Sequence, residues 1–319
     1  MYLKGEGGNG MQSLSRAKEY SNSRIEQLRA GLSELSVEFP NAVVVVVGSI
    51  ARREASSESD LDYFLIQDSE DVDSSLFNKV GAAVQEMGFK APSADGAFAT
   101  VVRKSDFIAS IGGGDESNAD LTRRMLYLLE SEWVMGGNIY EEIFSLIIEA
   151  YISDKITQHQ LARFFLNDLI RYYRTVCVDF EYKTSGIGKS WGDRNIKLLF
   201  SRKLMYFGGV LAAAQTAQST YTFKRAELKR LLKLPATERL TEVCGAGAER
   251  ALRAYDKFLS WAEDPDARDL LRETTQDRAQ QTEEFRSIKN IAHHFSWDLQ
   301  SLFIATYPPS HPIHQAMLL

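Results

Sequence analysis

Two cysteines in 319 residues, Cys177 and Cys244, are too few for a disulfide framework, and neither has the spacing or companions of a zinc site. Cys177 lies in an apolar helical pattern and is expected to be a core thiol. Long apolar runs are also missing: stretches such as "AVVVVVG" are far too short to span a bilayer, and "MYLKGEGGNGMQSLSRAKEY" lacks the apolar core of a signal peptide. The expectation is a cytoplasmic protein with no membrane partner. An excess of positive charge is absent as well. A net charge of −6 argues against a general nucleic-acid coating protein, whose affinity rests on phosphate neutralisation, while leaving room for a local basic cleft. There is no internal repeat and no low-complexity segment, and the Gly-rich "KGEGGNG" is set aside as a tail.

What is present is enough apolar material, 44% of residues with 11% aromatic, to bury a substantial core in one large or two ordinary domains. The stretch "SLSRAKEYSNSRIEQLRAGLSELSVEF" has helical spacing up to Pro40. Ala42 to Val47 is β-branched and unbroken by polar residues, as expected of a strand covered on both faces. Tyr63 to Ile66 predicts a second strand, "DSSLFNKVGAAVQEMGF" a helix and "GAFATVVRK" a third strand. Beyond "SIGGGDESNAD" almost every segment is helical in period, beginning with "LTRRMLYLLESEWVM", for which Ser117 to Asp120 offers caps. Breaks are expected at "KTSGIGKS" and "TFKRAELKRLLKLPATERL", and "YPPSHPIHQAMLL" reads as a tail packed on the surface. The predicted fold class is α/β, a small mixed sheet with helices over residues 11–116, followed by an all-α helical domain over 117–319.

One constellation carries chemistry. Asp60 and Asp62 sit two apart at the start of a strand, so they project the same way while Leu61 points into the core. Two carboxylates so close repel unless a cation sits between them, and such pairs suit Mg²⁺, which takes one or two carboxylates plus substrate phosphates. Gly48 has no side chain, so a phosphate can approach its backbone, and Ser49 adds a hydroxyl and an N–H at the head of a turn or helix. A carboxylate pair facing a phosphate cradle serves phosphoryl or nucleotidyl transfer.

The segment "GSIARREASSESDLDYFLI" resembles the signature of the polymerase-β-like nucleotidyltransferase superfamily, a Gly-Ser corner followed at this distance by Asp-hydrophobic-Asp. Its interior is most similar to minimal nucleotidyltransferases and to the PII uridylyltransferase and glutamine-synthetase adenylyltransferase group. "DLTRRMLYLLESEWVMGGNIYEEI", "FLNDLIRYYRTVCVDFEYK" and "WGDRNIKLLFSRKLMYFGG" resemble the helices that follow the catalytic sheet in the uridylyltransferases and their uncharacterised relatives, and their helical substrate-binding domain. The resemblance implies that Gly48 and Ser49 hold the triphosphate of a nucleoside triphosphate, that Asp60 and Asp62 bind Mg²⁺ (or Mn²⁺), and that a third carboxylate acts as base and metal ligand. Asp106, at the end of the third strand, is favoured for that part over Asp95 and Glu86. The acceptor is open, with a protein or small molecule favoured over a nucleic acid.

An anionic triphosphate needs cations. Arg171 and Arg174, then Arg194 and Lys197, with Arg202 and Lys203 beyond, share helix faces and are candidate nucleotide contacts, as are Arg123 and Arg124; surface ion pairs to Asp168, Asp179 and Asp193 are the alternative. Tyr172, Tyr173 and Trp191 could stack a base or belong to the core. Arg286 and His293, two helical turns apart, are similar in spacing to the motif of helical ribonucleases, which gives a competing reading; a nucleotide-sensing regulatory protein without catalysis is another.

Overall fold

A computed structural model of the chain describes residues 10–90, 101–109, 111–186 and 188–318. Helices α1 (Gln12–Gly31) and α2 (Ser33–Glu38) lead into strand β1 (Ala42–Val47), which turns directly into a four-residue helix, α3 (Gly48–Ala51). After the polar excursion come β2 (Asp62–Gln67), α4 (Ser75–Glu86), β3 (Val101–Arg103), α5 (Lys104–Ala109), α6 (Asn118–Leu129), β4 (Ser131–Met135) and α7 (Gly137–Tyr151). The rest is helical: α8 (Arg163–Ser185), α9 (Trp191–Lys197), a π-helical turn (Leu198–Arg202) running into α10 (Lys203–Ala214), α11 (Tyr221–Leu232), α12 (Ala236–Cys244) and a 3₁₀ turn (Gly245–Ala248). Helices α13 (Glu249–Glu263), α14 (Pro265–Glu273), α15 (Glu283–Thr306) and α16 (Pro312–Leu318) complete it.

The described strands form one mixed sheet in the order β3-β2-β1-β4, with β1 antiparallel to both neighbours and β3 parallel to β2. All six residues of β1 are buried, because the strand is covered on both sides. Val43, Val45 and Val47 enter the large core built by the helices from α6 onward, whereas Val44 and Val46 pack with Ile25, Leu28, Leu76 and Val80 of α1 and α4. Each fully buried valine is worth roughly 1.5–3 kcal/mol relative to leaving it exposed. Among the described residues no helix is long and apolar enough to cross a membrane.

Three sequence expectations are corrected. The run "LTRRMLYLLESEWVM" is not one helix. A capping box, with Ser117 Oγ accepting from the Asp120 N–H (3.2 Å) and Asp120 Oδ2 accepting from the Ser117 N–H (3.1 Å), starts α6 as expected, but Ser131 to Met135 pair with the free edge of β1 as a fourth strand. Pairing with a buried strand outweighs the helical pattern of that segment. The sheet therefore draws on residues beyond 116, the boundary expected between the two domains. The stretch "TFKRAELKRLLKLPATERL" is no break either: it forms α11 and α12, whose period is masked because two inward positions are cations. Lys224 is fully buried with Nζ donating to the carbonyls of Thr216 (2.5 Å), Gln160 (2.6 Å) and Gln158 (3.1 Å). Arg239 is also fully buried and donates to the carbonyls of Leu231, Leu232 and Leu234 at the end of α11 and of Leu129 at the end of α6.

Candidate functional site

Register decides which ends of the sheet carry chemistry. Val47 pairs with Asp62 on one side and with Ser131 on the other, so the exit of β1, the entry of β2 and the entry of β4 meet at one end. Gly48-Ser49, Asp60 and Asp62, and Glu130 all lie there. The alternation expected for Asp-Leu-Asp holds: Leu61 is buried among α1 and α4 residues, while Asp62 shares the parity of Phe64 and Ile66, which face the helical core.

Gly48 has φ +75°, a left-handed conformation that favours glycine, and a Cβ there would lie 3.1 Å from Asp62 Oδ2. The β1 corner and the Asp62 carboxylate are thus in contact through the space that glycine leaves. Both line a cleft of about 170 Å³ together with Ser49, Asp60, Ser56 and Ser59. Facing them across the cleft are Lys197, Ser201 and Arg202 from the π-helical region, Phe258, Leu259 and Glu263 from α13, and Arg268 from α14. A second cavity, beside Arg53 and Glu132, is about 10 Å³, room for a single water.

Neither the Asp60 nor the Asp62 carboxylate accepts a hydrogen bond from a described side chain. Burial pushes the Asp62 carboxyl above the usual aspartate range; Arg202 opposes this, and the nearby charges of Glu130 and Asp60 add to it. A carboxylate in that state gains from a cation. Among the described residues no third His, Cys, Asp or Glu completes a metal-holding group with them. Two carboxylates, with substrate phosphates filling the remaining positions, still match the donor set of Mg²⁺.

Behind the cleft lies a buried ion-pair network. Glu130, 4% exposed, accepts from Arg52 Nη1 at Oε2 (2.6 Å) and from Arg202 Nη1 at Oε1 (2.8 Å). Burial alone would raise its carboxyl, but Arg52 and Arg202 outweigh burial and hold it below the ordinary glutamate range. Arg52 Nε donates to Glu54 Oε2 (2.7 Å), and Glu54 Oε1 accepts the hydroxyl of Tyr255 (2.6 Å).

Of the cations expected at the nucleotide, Lys197 and Arg202 line the cleft. Lys197 is exposed and paired with Asp193 (2.9 Å). Arg171, Arg174 and Arg194 are not in the cleft wall. Arg171 instead bonds Glu116 (2.5 Å) beside the buried Arg124–Asp168 pair, tying α8 to α6. Asp106 lies past β3, next to the exit of β2, about 16 Å of strand (~3.3 Å per residue) from Asp62. There it is exposed and paired with Arg103 (2.8 Å), so it does not join the carboxylate pair. Glu86 ends α4, outside the cleft wall, and Asp95 lies outside the described residues. The aromatic candidates are packing groups: Tyr172 is buried, Tyr173 stacks on Tyr206 (4.5 Å between centroids) and Trp191 packs on Phe285 (5.6 Å). Arg286 and His293 are exposed on α15, away from the cleft wall. Cys177 is half-buried, with its thiol pushed up by burial.

Glu130, Tyr255 and Arg268 went unseen in the sequence. Arg268, 210 residues from Glu58, donates to its carbonyl (3.2 Å) and to that of Ala262 (3.3 Å), and no described carboxylate pairs with it. No local pattern marks a contact across such separations. No protein-family model matches the chain, and no curated protein matches it.

Proposed function

We propose that this chain is a Mg²⁺-dependent nucleotidyltransferase that moves a nucleoside monophosphate from a nucleoside triphosphate to a hydroxyl acceptor, with pyrophosphate leaving. The observation that carries the reading is the contact between the Gly48 corner and Asp62, inside a cleft whose opposite wall brings Lys197, Arg202 and Arg268. An anionic polyphosphate fits between a backbone corner that admits close approach and three cations, one of them without a carboxylate partner among the described residues. Asp60 and Asp62 would hold Mg²⁺, whose charge neutralises the phosphates. The chain's own part is positioning: Gly48 leaves room for the Asp62 carboxylate beside its bare backbone, Ser49 offers its hydroxyl, and the arginines balance charge that develops as the acceptor oxygen bonds to the α-phosphorus and the bond to pyrophosphate breaks. In this reading the sheet layer holds the nucleotide, and the helices from α8 onward close the cleft and present the acceptor.

The test is incubation with each α-labelled nucleoside triphosphate, Mg²⁺ and cell extract, followed by separation of protein, RNA and small molecules. Label is expected in the protein or small-molecule fraction and is expected to vanish with Asp60→Ala/Asp62→Ala. Undiminished transfer by the double variant would overturn the mechanism.

A further inference from the structure

The ion pairs behind the cleft close into a ring. Arg202 bonds Glu130, Glu130 bonds Arg52, Arg52 bonds Glu54, and Glu54 accepts a hydrogen bond from the Tyr255 hydroxyl. The oxygen of Tyr255 lies 3.1 Å from Ser201 Oγ, and Ser201 is the chain neighbour of Arg202. The ring thus starts and ends on the π-helical turn, having passed through the residues that follow α6 and α3, the excursion and α13. All four oxygens of its two glutamates are used, and its two cations and two anions sum to zero charge. Arg52 is clamped inside, with its side chain 9% exposed and both Nε and Nη1 engaged. Arg202 is different. Its side chain is 32% exposed at the cleft, and Nη1 to Glu130 is its single bond to a described residue, so its other N–H donors are free to meet an anion.

The turn itself serves the same end. Residues 198–202 carry one extra residue per hydrogen-bonded turn, which brings Ser201 and Arg202 together to the side already occupied by Lys197; a regular α-helix would swing Arg202 away. Tyr255 is completely buried, and it links α13 to both ends of this arrangement.

We propose that Tyr255 is a positioning residue: through Ser201 on one side and the Glu54–Arg52–Glu130 chain on the other it fixes Arg202 so that the guanidinium edge facing the cleft receives a polyphosphate. The inference rests on the nucleotidyltransferase reading and assigns to a tyrosine of the helical half a part in binding at the sheet.

The test is a double-mutant cycle on binding of inorganic tripolyphosphate with Mg²⁺, measured by calorimetry on the full chain, with thermal melting to confirm folding. Tyr255→Phe keeps the aromatic side chain but loses the buried hydroxyl that closes the hydrogen-bonded ring, and is expected to weaken binding roughly 3- to 10-fold. In an Arg202→Ala background, which by itself weakens binding, the same change is expected to have less than about a twofold effect, because the residue it acts through is gone. For Tyr255→Phe, kcat/KM for the triphosphate is expected to fall by a similar factor. Ser201→Ala carries the same cycle should Tyr255→Phe not fold. Equal factors in both backgrounds, or binding indifferent to Arg202→Ala, would overturn the inference while leaving the nucleotidyltransferase reading intact. A wild-type chain that binds neither tripolyphosphate nor any nucleoside triphosphate would overturn both.

Discussion

An alanine at position 48 would have to hold φ +75° and set its methyl 3.1 Å from Asp62 Oδ2, a strain of about 1–2 kcal/mol before any packing shift. Gly48→Ala is therefore expected to lower stability by about that amount in a denaturant melt and to weaken triphosphate binding, because the carboxylate it displaces belongs to the proposed site. Asp62→Asn should behave in the opposite way for stability. Burial already disfavours the Asp62 anion and no described donor satisfies it, so an uncharged amide of the same shape is expected to leave Tm unchanged or raised while transfer is lost. A Tm several degrees lower would show that the carboxylate holds the fold rather than the chemistry. At this scale the placement of the candidate site was legible because it is local: Gly48, Ser49, Asp60 and Asp62 stand within 15 positions and line one cleft, and strand alternation alone orients the aspartates. Asp106 was misplaced for a related reason, since residue spacing does not say whether a strand runs parallel or antiparallel to its neighbour, and a parallel β3 carries its end away from the site.

Elements were readable where the apolar pattern was clear, as at β1 and α1, or where period and cap agreed, as at the start of α6, and unreadable where buried polar groups replaced apolar ones. Arg239 is the clearest case: it lies in a stretch expected to be a break, yet is a fully buried helix cation that gathers the loose carbonyls at the ends of α11 and α6, its Nη1 having no partner among the described residues. Arg239→Met is expected to cost about 2–4 kcal/mol in denaturant unfolding, because four carbonyls lose a donor for the gain of a similar apolar volume; a loss under about 1 kcal/mol would show that water replaces it. Glu130 sets a pH dependence. The folded chain holds its carboxyl below the unfolded value, so the stabilisation is complete above that unfolded value (~4.3) and disappears as pH falls through the lower folded one. Tm of the wild type should consequently fall more steeply than that of Glu130→Gln below about pH 4.5, with the two curves parallel at neutral pH. Parallel curves throughout would mean that the Arg52 and Arg202 pairs are formed equally in the unfolded chain.

For the whole molecule, the sheet and the helical half are joined along a strut and a seam. The first turns of α1 pack on α13, with the Leu14 N–H bonded to Asp256 Oδ1 (2.8 Å) and Arg16 paired to Glu263, while its later turns cover the sheet through Ile25 and Leu28. The buried ring through Glu130 and Tyr255 closes the other side. Apolar periodicity pointed to a small mixed sheet with many helices, but not to a core and a cleft shared between them, because the contacts that join them span some 70 to 250 residues. The central claim is that this cleft takes a nucleoside triphosphate on the two aspartates. Its most direct measurement is calorimetric titration of the wild-type chain and of folded Asp60→Ala/Asp62→Ala with each nucleoside triphosphate, with and without Mg²⁺. The account predicts Mg²⁺-dependent binding of at least one triphosphate by the wild type and its loss in the double variant; equal binding by both proteins, or no binding of any triphosphate by the wild type, would contradict it.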